Sequence, residues 1–529
     1  MQISRRDLIR SSAAVGAVAA LGSLGNGLSA QAVTGHAGRA ITTARVLGKG
    51  EPGPGGYRPI VELPGEKHVV RTGLGAGAKR GRADRRKPLL AFVQLSDVHM
   101  IDVQSPMRFE HGDAVSSSAW RPQEIFCGHV ADAMVREINA IGTGPVTGAP
   151  LAFAVQTGDN SDTTQLNEIR WNIDVLDGGT VRIDSGDLTK YEGVMDQDPA
   201  TYHAMYWHPD GTPDGKEIDQ ARGTYGFPEV PGLLDAVRQP FEAEGLSMPW
   251  YAVMGNHDGL IQGNWPVTGA YQAQATGSVK KFKAGNIIVD RTVTADPDRR
   301  LLERDEWIAE HFTTTGAPVG HGFTAENQAK KTAYYSFDRG KVRFVVLDTV
   351  AEFGDKGYLS KMQFTWLKKL LEKSRNKLVV LASHHPLASW EDTAMRSQLT
   401  TLLVGSPNVI AWVNGHTHRN QIWAHPRKKS GKVVGGFWEI NTASHIDWPQ
   451  QSRLLEITDN KDGTLSIFTT MVDHGGSLTF NGDLTDPLQL AGLSREIGAN
   501  DWQEREDGRE GPRNARNVEL LLKAPAFLR

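Results

Sequence analysis

The stretch Gln156-Thr157-Gly158-Asp159-Asn160 closes the apolar run Leu151-Ala152-Phe153-Ala154-Val155. A run of that length that stops at Gly and then Asp reads as a buried strand holding a carboxylate at its C-terminal lip. Open α/β sheets gather their sites on that edge. A carboxylate has two oxygens and can bridge two metal ions about 3.5–4 Å apart, which makes Asp159 the candidate bridge. A lone Gly-Asp is far more often a turn, so the reading depends on what other strands deliver.

Upstream, the run 89–95 reads as a strand that ends in Ser96-Asp97-Val98-His99. Residues two apart lie on one side of an extended chain, so Asp97 and His99 can reach one ion. Between the two strands, Ile125, Val130, Met134, Val135 and Ile138 recur at helical spacing, with Gly142 near the end, which predicts a crossover helix. Downstream, the run 249–254 delivers Gly255-Asn256-His257-Asp258, the run 378–382 delivers Ser383-His384-His385-Pro386, and the run 409–413 delivers Asn414-Gly415-His416-Thr417-His418. Further strands are expected at 342–347, 436–443, 454–458 and 465–470, and a helix at 360–374 with Met362, Trp366, Leu367, Leu370 and Leu371 on one face. Five apolar runs therefore each end in a group able to bind metal.

The order Asp-x-His, Gly-Asp, Gly-Asn-His-Asp, His-x-Pro, Gly-His-Thr-His closely resembles the calcineurin-like metallophosphoesterase superfamily over residues 89–473. The resemblance implies an α/β fold, a sandwich of two mixed β-sheets flanked by helices, with insertions at 163–247 and 263–333. It implies one metal ion on Asp97, His99 and His418, a second on Asn256, His384 and His416, and Asp159 between them. His384 is the ligand by analogy, with His385 the alternative. His257 would stand beside the ions as proton donor or charge stabiliser, oriented by Asp258. Asp162 is expected to buttress a loop. Mixed imidazole and carboxylate donors without thiolate suit two divalent transition ions, Mn, Fe or Zn. The implied activity is hydrolysis of a phosphate ester by in-line attack of a metal-activated water. Two alternatives stand beside it: a phosphodiesterase acting on a lipid headgroup, nucleotide or wall polymer, and a non-catalytic metal-bearing protein that binds a phosphorylated ligand. The sequence departs from two branches. Thr163 follows Asp162, so the Gly-Asp-x-x-Asp-Arg of protein Ser/Thr phosphatases is broken, and Asp162 stands where purple acid phosphatases carry a tyrosine ligand.

The remaining sequence frames this core. Length of 529 residues supplies ample core material, and a net charge of −3 gives no basic footprint for nucleic acid. One cysteine, Cys127, excludes an intramolecular disulfide and reads as an inert small hydrophobe. Arg5-Arg6 before the weakly apolar run 11–28, with Ala30-Gln31-Ala32 for cleavage, resembles a Tat export signal over 1–32, with no transmembrane anchor. The Tat machinery is thus an expected partner, and the chain is expected to reach the periplasm, cell wall or medium. Residues 33–87 are expected to form a basic Gly/Pro-rich surface arm, and 476–529 a polar tail with a short helix at 518–522. The Gly- and Asp-rich stretch 163–247 shows no clear period and is read as an insertion capping the site, its aromatics Trp171, Tyr202, Tyr206 and Trp207 packing on themselves or meeting substrate. Arg108 is either structural or a phosphate contact, and His445 either lines the pocket or packs.

Overall fold

A computed structural model describes residues 41–113, 116–504 and 508–528; the Tat segment and the first residues of the arm lie outside them. Two sheets carry the fold. In chain order their strands are β1 (Val69–Arg71), β2 (Lys87–Leu95), β3 (Leu151–Gln156), β4 (Trp250–Ala252), β5 (Tyr335–Arg339), β6 (Val342–Val346), β7 (Leu378–Ala382), β8 (Val409–Asn414), β9 (Gln421–Lys429), β10 (Lys432–Asn441), β11 (Gln451–Asp459), β12 (Thr464–Asp473) and β13 (Val518–Lys523). The larger sheet runs β1-β13-β12-β11-β2-β3-β4 and the smaller β5-β6-β7-β8-β10-β9. In each, the strands that carry the motifs are parallel: β2, β3 and β4 in one, β7 and β8 in the other. Both sheets are mixed, since β11 and β12 pair antiparallel, as do β9 and β10.

The sandwich follows from the two-residue period of each strand. Along β7, Leu378, Val380 and Ala382 join the core shared with β2, β3 and β6, while Val379 and Leu381 join a second cluster with helices α1 (Lys361–Glu372) and α2 (Thr393–Gly405). Both faces of β7 are buried, which is why its sequence is a continuous apolar run. Phe92 and Phe153 of the larger sheet meet Phe344 of the smaller at centroid distances of 5.2 and 4.9 Å in edge-to-face contact. The crossover helix, Cys127–Ile141, adds Met134, Val135 and Ile138 to this core.

Four expectations are corrected. The stretch 163–247 contains a regular helix, Leu166–Asp177, whose Ile169, Ile173 and Leu176 recur at helical spacing and enter the main core. Its aromatics Tyr206 and Trp207 are buried in a satellite core with Phe282, Leu490 and Leu493, and Trp171 in another, so their contact is packing. The tail is internal: a helix, Pro487–Asn500, is largely buried, and 518–522 is strand β13 rather than a helix. Five residues, four of them apolar, are too few to separate the two periods, and neighbours on both sides decide for strand: Leu520 pairs with Ile467 of β12, and Val518 with Val69 of β1. The arm is also anchored. Arg45–Lys49 and Ile60–Pro64 form a hairpin whose Leu47 and Ile60 pack on Trp448, and Arg82 grips Glu519 of β13 through two bonds of 3.0 and 2.6 Å.

Leu520 is fully buried. Leu520→Ala is therefore expected to destabilise the chain by about 2–5 kcal/mol in urea denaturation; a change below about 0.5 kcal/mol, the scale of an ordinary surface substitution, would return residues 518–523 to the surface.

Candidate metal centre

The C-terminal ends of β2, β3, β4, β7 and β8 meet at one edge of the sandwich, and the backbone there is unusual. Asp97, His99, Asp159, His416 and His418 all adopt left-handed conformations, with φ of 50, 47, 50, 71 and 54°. Each such non-glycine residue costs about 1–3 kcal/mol and persists only where its surroundings over-determine it. Interlocked loops supply that constraint. The Asp97 and His99 amides donate to the carbonyls of Gly158 (3.1 Å) and Asp159 (2.9 Å). The carboxylates tie the remaining loops: Asp97 accepts from the His416 amide at 2.9 Å and Asp159 from the His257 amide at 2.9 Å. Two motif glycines are required by these approaches, because a Cβ on Gly255 would fall on Asp159 Oδ1 and one on Gly415 on the Asp97 carboxylate.

Three imidazoles are fixed by the same device. Oxygen acceptors hold Nδ1 of His99 (Asp162 Oδ1, 2.9 Å), of His384 (Thr157 carbonyl, 2.9 Å) and of His418 (Asp447 Oδ2, 2.5 Å). This selects the tautomer in which Nε2 carries the lone pair. The Nε2 atoms converge: those of His99 and His418 lie 3.2 Å apart, His418 Nε2 is 3.3 Å from Asp97 Oδ1, and His384 Nε2 is 3.0 Å from Asp159 Oδ2.

This donor set fits divalent cations. Ligand atoms of Asp97, His99 and His418 lie within 4.8 Å of one another, as do those of Asp97, Asp159 and His384. The buried Oδ1 of Asn256 has no hydrogen-bond partner, and His384 Nε2 faces the Asp159 carboxylate at 3.0 Å. Gly263 accepts from Asn256 Nδ2 at 3.1 Å, which leaves the amide oxygen as the free end. Without an ion the field of the carboxylates falls on the rings. Burial lowers His384 and His418, but Asp159 beside the first, and Asp97 together with Asp447 beside the second, outweigh it and lift each to about 9. His99 and His416 go the other way, to about 4 and about 3, chiefly through burial. A site that draws protons onto two of its imidazoles carries the negative potential that two cations would neutralise.

The other sequence-marked residues separate clearly. His257 stands beside His99, ring centroids 4.5 Å apart, and its ligand atoms also lie within reach of Asp159. It is oriented by Asp162, not by Asp258: Nδ1 bonds the Asp162 carbonyl at 2.8 Å and lies 3.3 Å from the Asp162 carboxylate. Asp258 points away, its carboxylate accepting from the amides of Asn160 (3.0 Å), Ser161 (2.9 Å) and Gly255 (2.8 Å), so it braces the loop that presents Asp159. Asp162, expected as a loop buttress, thus orients two imidazoles, and Arg108 pairs with it at 2.7 Å while gripping Glu124 at 2.6 Å. His385 is buried with Nδ1 on Thr349 at 2.9 Å, and it lies with His384 and His416 in a further ligand-competent group. His445 bonds Ser452 at 2.9 Å inside the protein. Cys127 is buried, and burial pushes its thiol up to about 12.

The site opens on a polar pocket of about 330 Å³ lined by His99, Asp159, Asn256, His257, His416 and His418. Its outer wall brings residues the sequence did not mark: Ser116 to Ser118, Arg121, Glu504 and Arg509. Among the described residues none of 163–247 lines it, so that stretch is no cap; Asn264 comes from the second expected insertion. Arg121 and Arg509 reach the site from outside every motif, and no spacing in the sequence announces them.

Residues 226–420 match the family model described as calcineurin-like phosphoesterase, and residues 2–22 that of the twin-arginine translocation pathway signal sequence. No curated protein matches it. Similar solved structures include a dimetal phosphatase from Danio rerio, at 12% identity and TM-score 0.35 over 73% of this chain and 100% of that one. A purple acid phosphatase from yellow lupin is 12% identical with TM-score 0.32, over 78% and 53%. A 5'-nucleotidase from Candida albicans is 11% identical with TM-score 0.27, over 83% and 60%. At such scores these likenesses carry no weight for substrate or mechanism. Among the described residues no helix is long and apolar enough to cross a membrane.

Gly255→Ala forces a methyl group onto the Asp159 carboxylate. It is expected to destabilise the chain by about 1–3 kcal/mol and to lower metal content by elemental analysis; a variant with unchanged ion content and melting temperature would refute this packing.

Proposed function

We propose that the chain is an exported phosphoric ester hydrolase that uses two divalent ions. The observation that carries this reading is the convergence of buried, tautomer-locked imidazoles and two carboxylates on one polar pocket, with Asn256 Oδ1 left unpartnered and His384 Nε2 facing Asp159. Asp97, His99 and His418 would hold one ion; Asn256, His384 and His416 the other; Asp159 would bridge. Ions there supply Lewis acidity toward phosphate oxygens and an activated water.

The chain's own residues do the positioning. Asp159 is held well below the usual carboxylate range: burial raises it, but His384 and His257 outweigh burial, so it stays an anion able to serve two cations. His257 is the proton donor to the leaving oxygen. In the ion-free site burial lowers it, but the charge of Asp159 and the hydrogen bond and charge of Asp162 lift it to about 9; with cations on Asp159, the contacts with Asp162 are what continue to favour its protonated form. With Nδ1 on the Asp162 carbonyl, Nε2 is the atom that transfers the proton. Phosphoryl transfer depends mainly on such positioning and electrostatics. Asp258 acts only by holding the loop 159–161.

The test is hydrolysis of p-nitrophenyl phosphate and bis-p-nitrophenyl phosphate by metal-stripped protein after Mn, Fe or Zn is restored. Turnover should require metal, vanish in Asp159→Ala, and show by the better substrate whether monoesters or diesters are preferred. Metal-independent turnover, or full activity in Asp159→Ala, would overturn the reading. His257→Asn should lower kcat by about 10²–10⁴-fold with metal content retained. Asp258→Asn should instead lower the melting temperature; a large fall in kcat with unchanged stability would restore Asp258 to the chemistry.

A further inference from the structure

Behind His418 lies a charged cluster that the reading above does not use. Asp447, 2% exposed, follows β10 and sits between two guanidiniums. Arg121 Nε is 2.7 Å from Asp447 Oδ1, and Arg509 Nη1 bonds Oδ2, the same oxygen that holds His418 Nδ1 at 2.5 Å. Arg509 Nη1 is itself 3.3 Å from His418 Nδ1, and its Nη2 pairs with Glu504 at 2.7 Å. The segment bearing Arg509 is docked on the loop after β8: the Asn420 amide donates to the Arg509 carbonyl at 3.0 Å, and Trp448 Nε1 donates to Glu510.

A buried carboxylate that accepts from an imidazole must itself be held, or it turns toward whichever donor is nearer. Arg121 fixes one oxygen and Arg509 the other. A guanidinium suits the second task because its planar fork serves Asp447 and Glu504 at once, which a single ammonium cannot do from one fixed position. Partners one bond removed from a metal commonly change its affinity by about 10–100-fold.

We propose that Arg509 is a positioning residue for the metal centre: through Asp447 it locks His418 with Nε2 turned toward Asp97 and His99, so that the C-terminal segment controls the ion held by those three residues. The inference rests on the proposed dinuclear site. It makes Glu504 and Arg509 part of the working centre, although they lie outside residues 226–420 and outside every motif.

The test is Mn²⁺ binding to the full chain, followed by chelator competition and calorimetry, with melting temperatures alongside. The wild type should bind two ions. Arg509→Met should weaken one of them by about 10–100-fold and leave the other unchanged, Arg509→Lys should fall between, and Asp447→Asn should match Arg509→Met or exceed it. Trp448→Phe removes the neighbouring bond to Glu510 without touching Asp447 and should leave both ions in place. Two ions held with equal affinity in wild type and Arg509→Met would sink this inference alone, as would equal weakening by Trp448→Phe. A wild type that takes up no ion would sink the dinuclear reading and this inference with it.

Discussion

Two carboxylates, Asp97 and Asp159, are buried within ligand distance of each other, and the structure at this edge answers to that constraint. Like charges so close and so far from water require positive partners. Backbone amides supply part: each carboxylate accepts one from a different loop, so charges that would repel instead fasten the strand exits together. Imidazoles supply the rest of the inner surface, and those of His99, His384, His418 and His257 are braced from behind by an oxygen. The left-handed residues, the close glycines and the locked tautomers are consequences of one arrangement. The strain at five backbone positions is tolerable because neighbouring loops, rather than local propensity, define them.

The inner residues were legible because the fold delivers them by a local rule. An apolar run marks a strand, its abrupt end marks an exit, and the side chain at the exit is fixed by position. Asp97, His99, Asp159, Asn256, His384, His416 and His418 are all found there, and the strands and crossover helix lie close to where their periodicity places them. Asp258 shows where adjacency misleads. It follows His257 directly, but one turn of helix, Asn256–Gly259, directs its carboxylate back to the amides of 160, 161 and 255. The orienting carboxylate comes instead from Asp162, distant in sequence and near in space. Asp447 and Arg509 are a step less visible, because what recruits them is the back of a histidine.

The ends of the core are hidden in the sequence for a related reason. Gly- and charge-rich composition suggested an arm and a tail, yet a few apolar residues in each suffice when a neighbouring strand has an open edge. Basic residues that read as a solvated run include Arg82, whose guanidinium secures β13 through Glu519. Likewise 163–247 proved to contain a core helix and much of a satellite core, its aromatics facing inward rather than toward the pocket.

Strand β13 lies between β12 and β1, so the larger sheet has its seventh strand in place only when residues from both ends of the described chain have met. During synthesis, β1 is made early and stays an unpaired edge until β13 follows. Contacts this remote in sequence form slowly, because loop-closure entropy is lost before pairing repays it. The brace on His418 comes from the segment just before β13 and arrives equally late. Strand β13 and the segment bearing Arg509 are close neighbours in the chain, so one stretch of sequence both completes the larger sheet and supplies the guanidinium that holds Asp447 behind His418.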